Sequence, residues 1–260
     1  MFKLYRAVIA FGVLLDFVTP VFVTPVMAED YSATDVQILY GVNAKADAVN
    51  GTGTSNEKLT TVRFEHYGTF SLGDNYLSLD LFRGGQVGGQ GAGSFGGDSK
   101  YQSFFVYMPR LSISKLTEKS LEFGPLKDVG LTTRFEYSSY ANYRAVGPGL
   151  SFTWDVPGLA YLETAAYARK TNFSGTHPLI RVVWIAPFTV AGLHFSADGL
   201  LLYSRPDNLG SNILAQPELR FSLDSNKKID LGVRVEYAAY SAGGTHYSRT
   251  TPMLMARWNF

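Results

Sequence analysis

KIDLGVRVEYAA, residues 228–239, alternates without a fault. Ile229, Leu231, Val233, Val235 and Tyr237 take one side; Asp230, Arg234 and Glu236 take the other, and no charge falls on the apolar side. A period of two belongs to a β-strand with one apolar and one polar face. TPMLMARWNF, residues 251–260, repeats the pattern. Leu254, Ala256, Trp258 and Phe260 share one parity; Met253, Met255, Arg257 and Asn259 share the other.

Working outward from these two stretches, similar segments recur, separated by clusters of Gly, Asn, Asp, Ser and Pro. Twelve strands are expected: 34–43, 57–70, 75–83, 100–113, 127–139, 146–155, 160–170, 178–187, 191–203, 213–223, 228–239 and 250–260. The connections alternate in length. Longer ones are expected at 44–56, 84–99, 140–145, 171–177, 204–212 and 240–249. Shorter ones are expected at 71–74, 156–159, 188–190 and 225–228, with 114–126 a long exception. Long and short in turn is how an up-and-down outer-membrane barrel treats its two rims. The expected fold class is all-β: a transmembrane, antiparallel, up-and-down β-barrel of about 12 strands over residues 29–260. A soluble β-sandwich is the alternative, and it needs neither the loop alternation nor so many strands.

Composition agrees. Aromatics reach 14% of the chain, enough for two interfacial girdles, while mean hydropathy is neutral because barrel strands are apolar on one face only. There is no cysteine, so neither disulfides nor thiolate metal sites enter the argument. Residues 1–28 read as a signal peptide: Lys3 and Arg6 precede the apolar run AVIAFGVLL, and VMA stands before a cut after Ala28. Removing them takes 23 basic and 22 acidic residues to 21 of each, so the mature chain is neutral and carries no basic face for nucleic acid.

Charges on the polar parity recur two residues apart: Arg63 and Glu65, Arg134 and Glu136, Arg234 and Glu236, and in reverse order Glu218 and Arg220. Facing lipid, each Arg would cost a few kcal/mol near the midplane, so these side chains are expected to line the lumen. Two readings stand side by side. Interior ion pairs brace a narrow barrel, or a mixed-charge constriction orients a polar solute. Asp80, Arg110 and the aromatics Tyr67, Tyr76, Phe82, Tyr161 and Tyr167 complete the expected lining. Aromatic faces beside hydrogen-bonding groups suit flat heterocycles or sugars. The glycine tract within 83–100 lacks the Lys-Ser/Thr ending and helical sequel of a phosphate loop and is expected at the outer mouth.

A C-terminal strand ending in an aromatic resembles the signal that the barrel assembly machinery of the outer membrane reads, and Phe260 is that residue here. The segment PRLSISKLTEKSLEFGPLKD, residues 109–128, resembles the nucleoside-specific channel-forming porins of the outer membrane, the Tsx-type family. The likeness rests on Pro109, Arg110, Ser112, Ile113, Lys115, Leu116, Thr117, Leu121, Phe123, Gly124, Pro125, Lys127 and Asp128. The resemblance implies a monomeric twelve-stranded barrel in the bacterial outer membrane, with no cofactor, passing nucleosides through a narrow channel. The chain departs from the family on the preceding strand, where Val106 and Met108 stand in place of acidic residues. A channel for a different small solute is therefore the second expectation.

An outer-membrane lipid hydrolase is the third. His194 and Ser196, with Asp198 on the same parity, and His246 and Ser248 are His-x-Ser pairs, but no carboxylate follows Ser248 to orient an imidazole. The four histidines at 66, 177, 194 and 246 are too dispersed for a metal centre.

Overall fold

The computed structural model describes residues 31–44, 57–84, 101–139, 142–206, 210–242 and 245–260. The expected signal peptide and nearly all of the glycine tract lie outside them. The strands are β1 (Tyr31–Ala44), β2 (Glu57–Phe70), β3 (Gly73–Arg83), β4 (Tyr101–Ser112), β5 (Leu126–Ser138), β6 (Arg144–Trp154), β7 (Tyr161–Thr171), β8 (His177–Val190), β9 (Leu193–Ser204), β10 (Asn212–Ser222), β11 (Ile229–Ala242) and β12 (Thr245–Asn259). One short helix, α1 (Ile113–Thr117), lies between β4 and β5. Each strand pairs antiparallel with its sequence neighbours, and β1 pairs with β12 to close the barrel. Closure leaves no open edge, the condition lipid imposes on a sheet that crosses it. The β-sandwich alternative is thereby set aside. No helix among the described residues is long and apolar enough to span a membrane.

The ladders run further than the sequence pattern indicates. The expected long connection at 240–249 is mostly strand, because β11 and β12 pair without a break from Ile229↔Trp258 to Ala242↔Thr245. Likewise 188–190 is strand, and the β8–β9 turn is Ala191 and Gly192, with φ of 51° and 79°. Two consecutive positive φ values make a type I′ hairpin turn, whose twist matches the flanking strands. At 240–249 backbone pairing outweighs the weak strand preference of Ser241 and Ala242, whereas at 188–190 Phe188, Thr189 and Val190 favour a strand and the ladder simply continues past Pro187. The shorter turns and both described ends of the chain, Tyr31 and Phe260, share one rim, here the terminal rim; the loop rim is opposite.

The wall is inverted relative to a soluble protein. Ile38, Val62, Leu81, Leu131, Leu150, Ile180, Leu219, Val233 and Leu254 are exposed on the outside, whereas Asp80, Arg134, Glu136, Arg234 and Glu236 are buried inside. Outward Tyr40, Tyr137, Tyr203 and Tyr237 lie toward the loop rim. Phe188, Phe195, Phe221 and Trp258 lie toward the terminal rim. An apolar band between two aromatic girdles is the surface a bilayer selects. Trp258 and Phe260 stack at 6.1 Å with 11° between their planes, and the Phe260 amide donates to the Thr34 carbonyl at 2.9 Å.

Candidate functional site: the barrel lumen

All twelve expected lining residues face the interior: Arg63, Glu65, Tyr67, Asp80, Phe82, Arg110, Arg134, Glu136, Glu218, Arg220, Arg234 and Glu236. Their pairing differs from the expectation. Only Arg134 and Glu136 pair closely along one strand. Arg63 and Glu65 stand 3.5 Å apart, and Arg220 and Glu218 4.0 Å. The tighter partners lie across the sheet. Arg63 grips Asp80 with two bonds of 2.5 and 2.8 Å; Arg234 donates to Glu218 at 2.7 Å; Glu236 pairs with Arg249. Residues two apart on a strand are separated by about 6.6 Å, whereas cross-strand neighbours sit about 5 Å apart and converge more easily.

Cross-strand pairing brings in charges that no R-x-E motif marks. Arg169 joins Glu136 at 2.5 Å, Arg181 joins Glu163 at 2.5 Å, and Arg257 joins Asp35 at 2.5 Å. Arg220 reaches both Asp198 and Asp230. The strand alternation could have found them, since Glu163 and Arg169 share the parity of Tyr161 and Tyr167. Every inward-facing cation on the described strands is an arginine, and each has a carboxylate partner. The planar guanidinium can serve two carboxylates at once, which a lysine ammonium does with less geometric control.

The surplus changes sign along the barrel axis. Toward the terminal rim single arginines serve two carboxylates: Arg110 holds Asp74 at 3.0 Å and Asp128 at 2.7 Å, and Arg220 holds Asp198 and Asp230. Toward the loop rim, Arg134 and Arg169 share Glu136, which also accepts from the Tyr143 hydroxyl at 2.8 Å.

At the level between them the lumen is narrower than the strand count alone implies. Twelve strands about 4.8 Å apart and tilted by about 40° make a circular wall roughly 24 Å across. An arginine and a tyrosine cannot span that width end to end. Yet Arg181 on β8 and Tyr76 on β3, almost opposite in the strand order, approach to 6.0 Å between Cζ and ring centroid. The section is therefore flattened along this direction. Tyr76 also donates to Glu65 at 2.6 Å, and Gln37 links Glu65 at 2.8 Å to Arg234 at 2.9 Å. One hydrogen-bonded chain thus runs around that side of the constriction.

The aromatics divide by role. Tyr161 donates to Glu163 at 3.0 Å, while Tyr67 stands near Tyr31 at 6.4 Å between rings. Phe82 packs on Leu39, Leu59, Met253 and Met255, an apolar cluster inside the barrel toward the loop rim. Val106 and Met108 are also buried: the Met108 sulfur accepts from Arg134 at 3.3 Å and from the Tyr167 hydroxyl at 3.8 Å. The departure from the nucleoside-channel pattern at these positions is thus absorbed into packing.

The 109–128 segment builds the terminal rim. Arg110 Nε donates to Ser151 at 2.7 Å and Nη2 to Thr153 at 3.1 Å, beyond its two carboxylates. Ser112 Oγ accepts from the Lys115 amide at 3.1 Å and caps α1, and Lys115 Nζ reaches the Phe70 carbonyl at 3.0 Å. Gly130 leaves room for this arrangement, since a Cβ there would lie 2.5 Å from Arg110 Nε.

The His-x-Ser pairs form no nucleophile–base relay in their described contacts. Ser196 donates to Asp198, whose other oxygen is taken by Arg220, and the His194 ring bonds Thr189 at 3.3 Å. His246 and Ser248 are exposed on the outer wall. Among the described residues no group of His, Asp and Glu has the arrangement of a metal site.

No protein-family model matches the chain, and no curated protein matches it in sequence. Solved structures do. The KdgM porin superposes with a TM-score of 0.50 at 10% identity, over 87% of this chain and 99% of that one. The same porin in complex with disordered oligogalacturonate gives 0.48 at 10% identity, over 86% and 99%. The outer-membrane channel DcaP of Acinetobacter baumannii gives 0.39 at 10% identity, over 88% and 96%. At such identity the likeness is one of fold. The chain is a closed, twelve-stranded antiparallel β-barrel with the fold of the KdgM porin.

Proposed function

We propose that this barrel is a passive channel for small polar solutes, with nucleosides the favoured class. The observation that carries the reading is the lumen: each inward arginine of the described strands has a carboxylate partner, and half-buried Tyr67 and Tyr76 stand among the pairs. Such a wall offers paired donors and acceptors and flat faces, with no free arginine track for a polyanion. Uncharged solutes with a ring and several hydroxyls fit it. Weak contacts at several levels speed passage without trapping the solute. The likeness of residues 109–128 to the nucleoside-channel family supports the same class, although these residues build a rim. On this reading the chain acts as a monomer without a cofactor, and assembly machinery recognises the strand ending in Phe260.

Single-channel current through the refolded mature protein, titrated with adenosine, thymidine and free sugars, tests it. Saturable block by nucleosides alone is expected. Open current without nucleoside block would transfer the channel to a different small solute. Absence of current would overturn the channel reading.

A further inference from the structure

The outer wall carries a charge pattern that the lumen does not use. Lys58 on β2, Arg83 on β3, Arg144 on β6, Lys170 on β7 and Arg205 just beyond β9 are exposed. Strand alternation points them outward: Lys58 precedes inward, buried Leu59, Arg144 precedes inward, buried Ala145, and Arg205 follows inward, buried Ser204. Their registers place them together at the loop rim. Arg83 pairs with Tyr101, and its Cζ lies 6.0 Å from that ring. Arg144 pairs with Tyr137, Lys170 with Val146, and Arg205 stands two residues beyond Tyr203. From β3 to β9 the registers step these positions along the wall in the stagger that tilted strands make up, so they lie beside or just beyond the girdle tyrosines on the loop-rim side. Among the acidic residues whose side chains are described, each faces the lumen or lies toward the terminal rim.

The geometry points to a binding surface for phosphorylated glucosamine lipid of the outer leaflet, the lipid A type. The occupant follows from position and charge. A set of cations on β2, β3, β6, β7 and just past β9, bordering an apolar, lipid-facing band, meets the headgroup layer of the leaflet the band is immersed in. Phosphate oxygens there accept from Arg and Lys, and the girdle tyrosines meet the sugar and upper acyl region. Barrels of this type put their longer connections outside, which makes the loop rim the outer-leaflet side.

The test is native mass spectrometry of the refolded barrel in detergent, titrated with bisphosphorylated lipid A and, separately, with its dephosphorylated form. The phosphorylated lipid should bind at least about tenfold tighter, and Arg144→Gln with Lys170→Gln should weaken it by roughly tenfold while leaving the dephosphorylated lipid unchanged. Equal binding of the two lipids to the unaltered protein would overturn the inference, with no need for the variant to fold. So would undiminished binding by the double variant, or displacement of the lipid by millimolar inorganic phosphate.

Discussion

Replacing Glu136 by glutamine is expected to be the most damaging single change in the lumen. Glu136 is 5% exposed. One of its oxygens accepts from Arg134; the other accepts from Arg169 Nη2 at 2.5 Å, Arg169 Nε at 3.1 Å and Tyr143 at 2.8 Å. Glutamine keeps the shape but strands two guanidiniums side by side. Breaking a buried pair by removing one partner costs about 3–5 kcal/mol. Two cations lose their counter-charge here, but the Arg169 side chain is 17% exposed and water recovers part of the loss. The expected cost is about 3–4 kcal/mol. Urea unfolding of the barrel in lipid vesicles, extrapolated linearly to zero denaturant, measures it. Adding Arg134→Met should recover more than half of the loss, because the more deeply buried orphan is removed. A single-variant cost under about 1 kcal/mol, with no recovery in the double, would refute the reasoning, since that is the behaviour of a solvent-screened pair.

Other consequences follow from the same geometry. Arg181→Ala combined with Glu163→Gln removes the side chain that meets Tyr76 without stranding a carboxylate, and single-channel conductance should rise; unchanged conductance would mean that the constriction lies elsewhere. Gly130→Ala drives a Cβ toward Arg110 Nε and Ser151 Oγ, 2.5 and 2.8 Å away, and should cost about 1–3 kcal/mol in the same urea assay. Loss of that magnitude is expected without change in strand content, read by circular dichroism.

The sequence by itself determined the barrel and which side chains face in. Alternation in 228–239 and 251–260 assigns faces because the strand period is two and lipid tolerates charge on neither the outer face nor an open edge. It also located the rim segment 109–128, whose Arg110, Ser112, Lys115 and Asp128 all bond within one structure. Strand ends at 188–190 and 240–249 were not legible, because hairpin length is set by how far two ladders stay paired: Pro187 reads locally as a strand end although Phe188, Thr189 and Val190 continue the ladder, and the Ser, Ala and Gly of 240–249 show little preference alone. The salt-bridge network was not legible either. Arg234 and Glu236 sit two apart in the chain, yet they bond Glu218 and Arg249 on flanking strands. That choice depends on register, and register is fixed only when all twelve strands close and each residue acquires two neighbours the local sequence does not name.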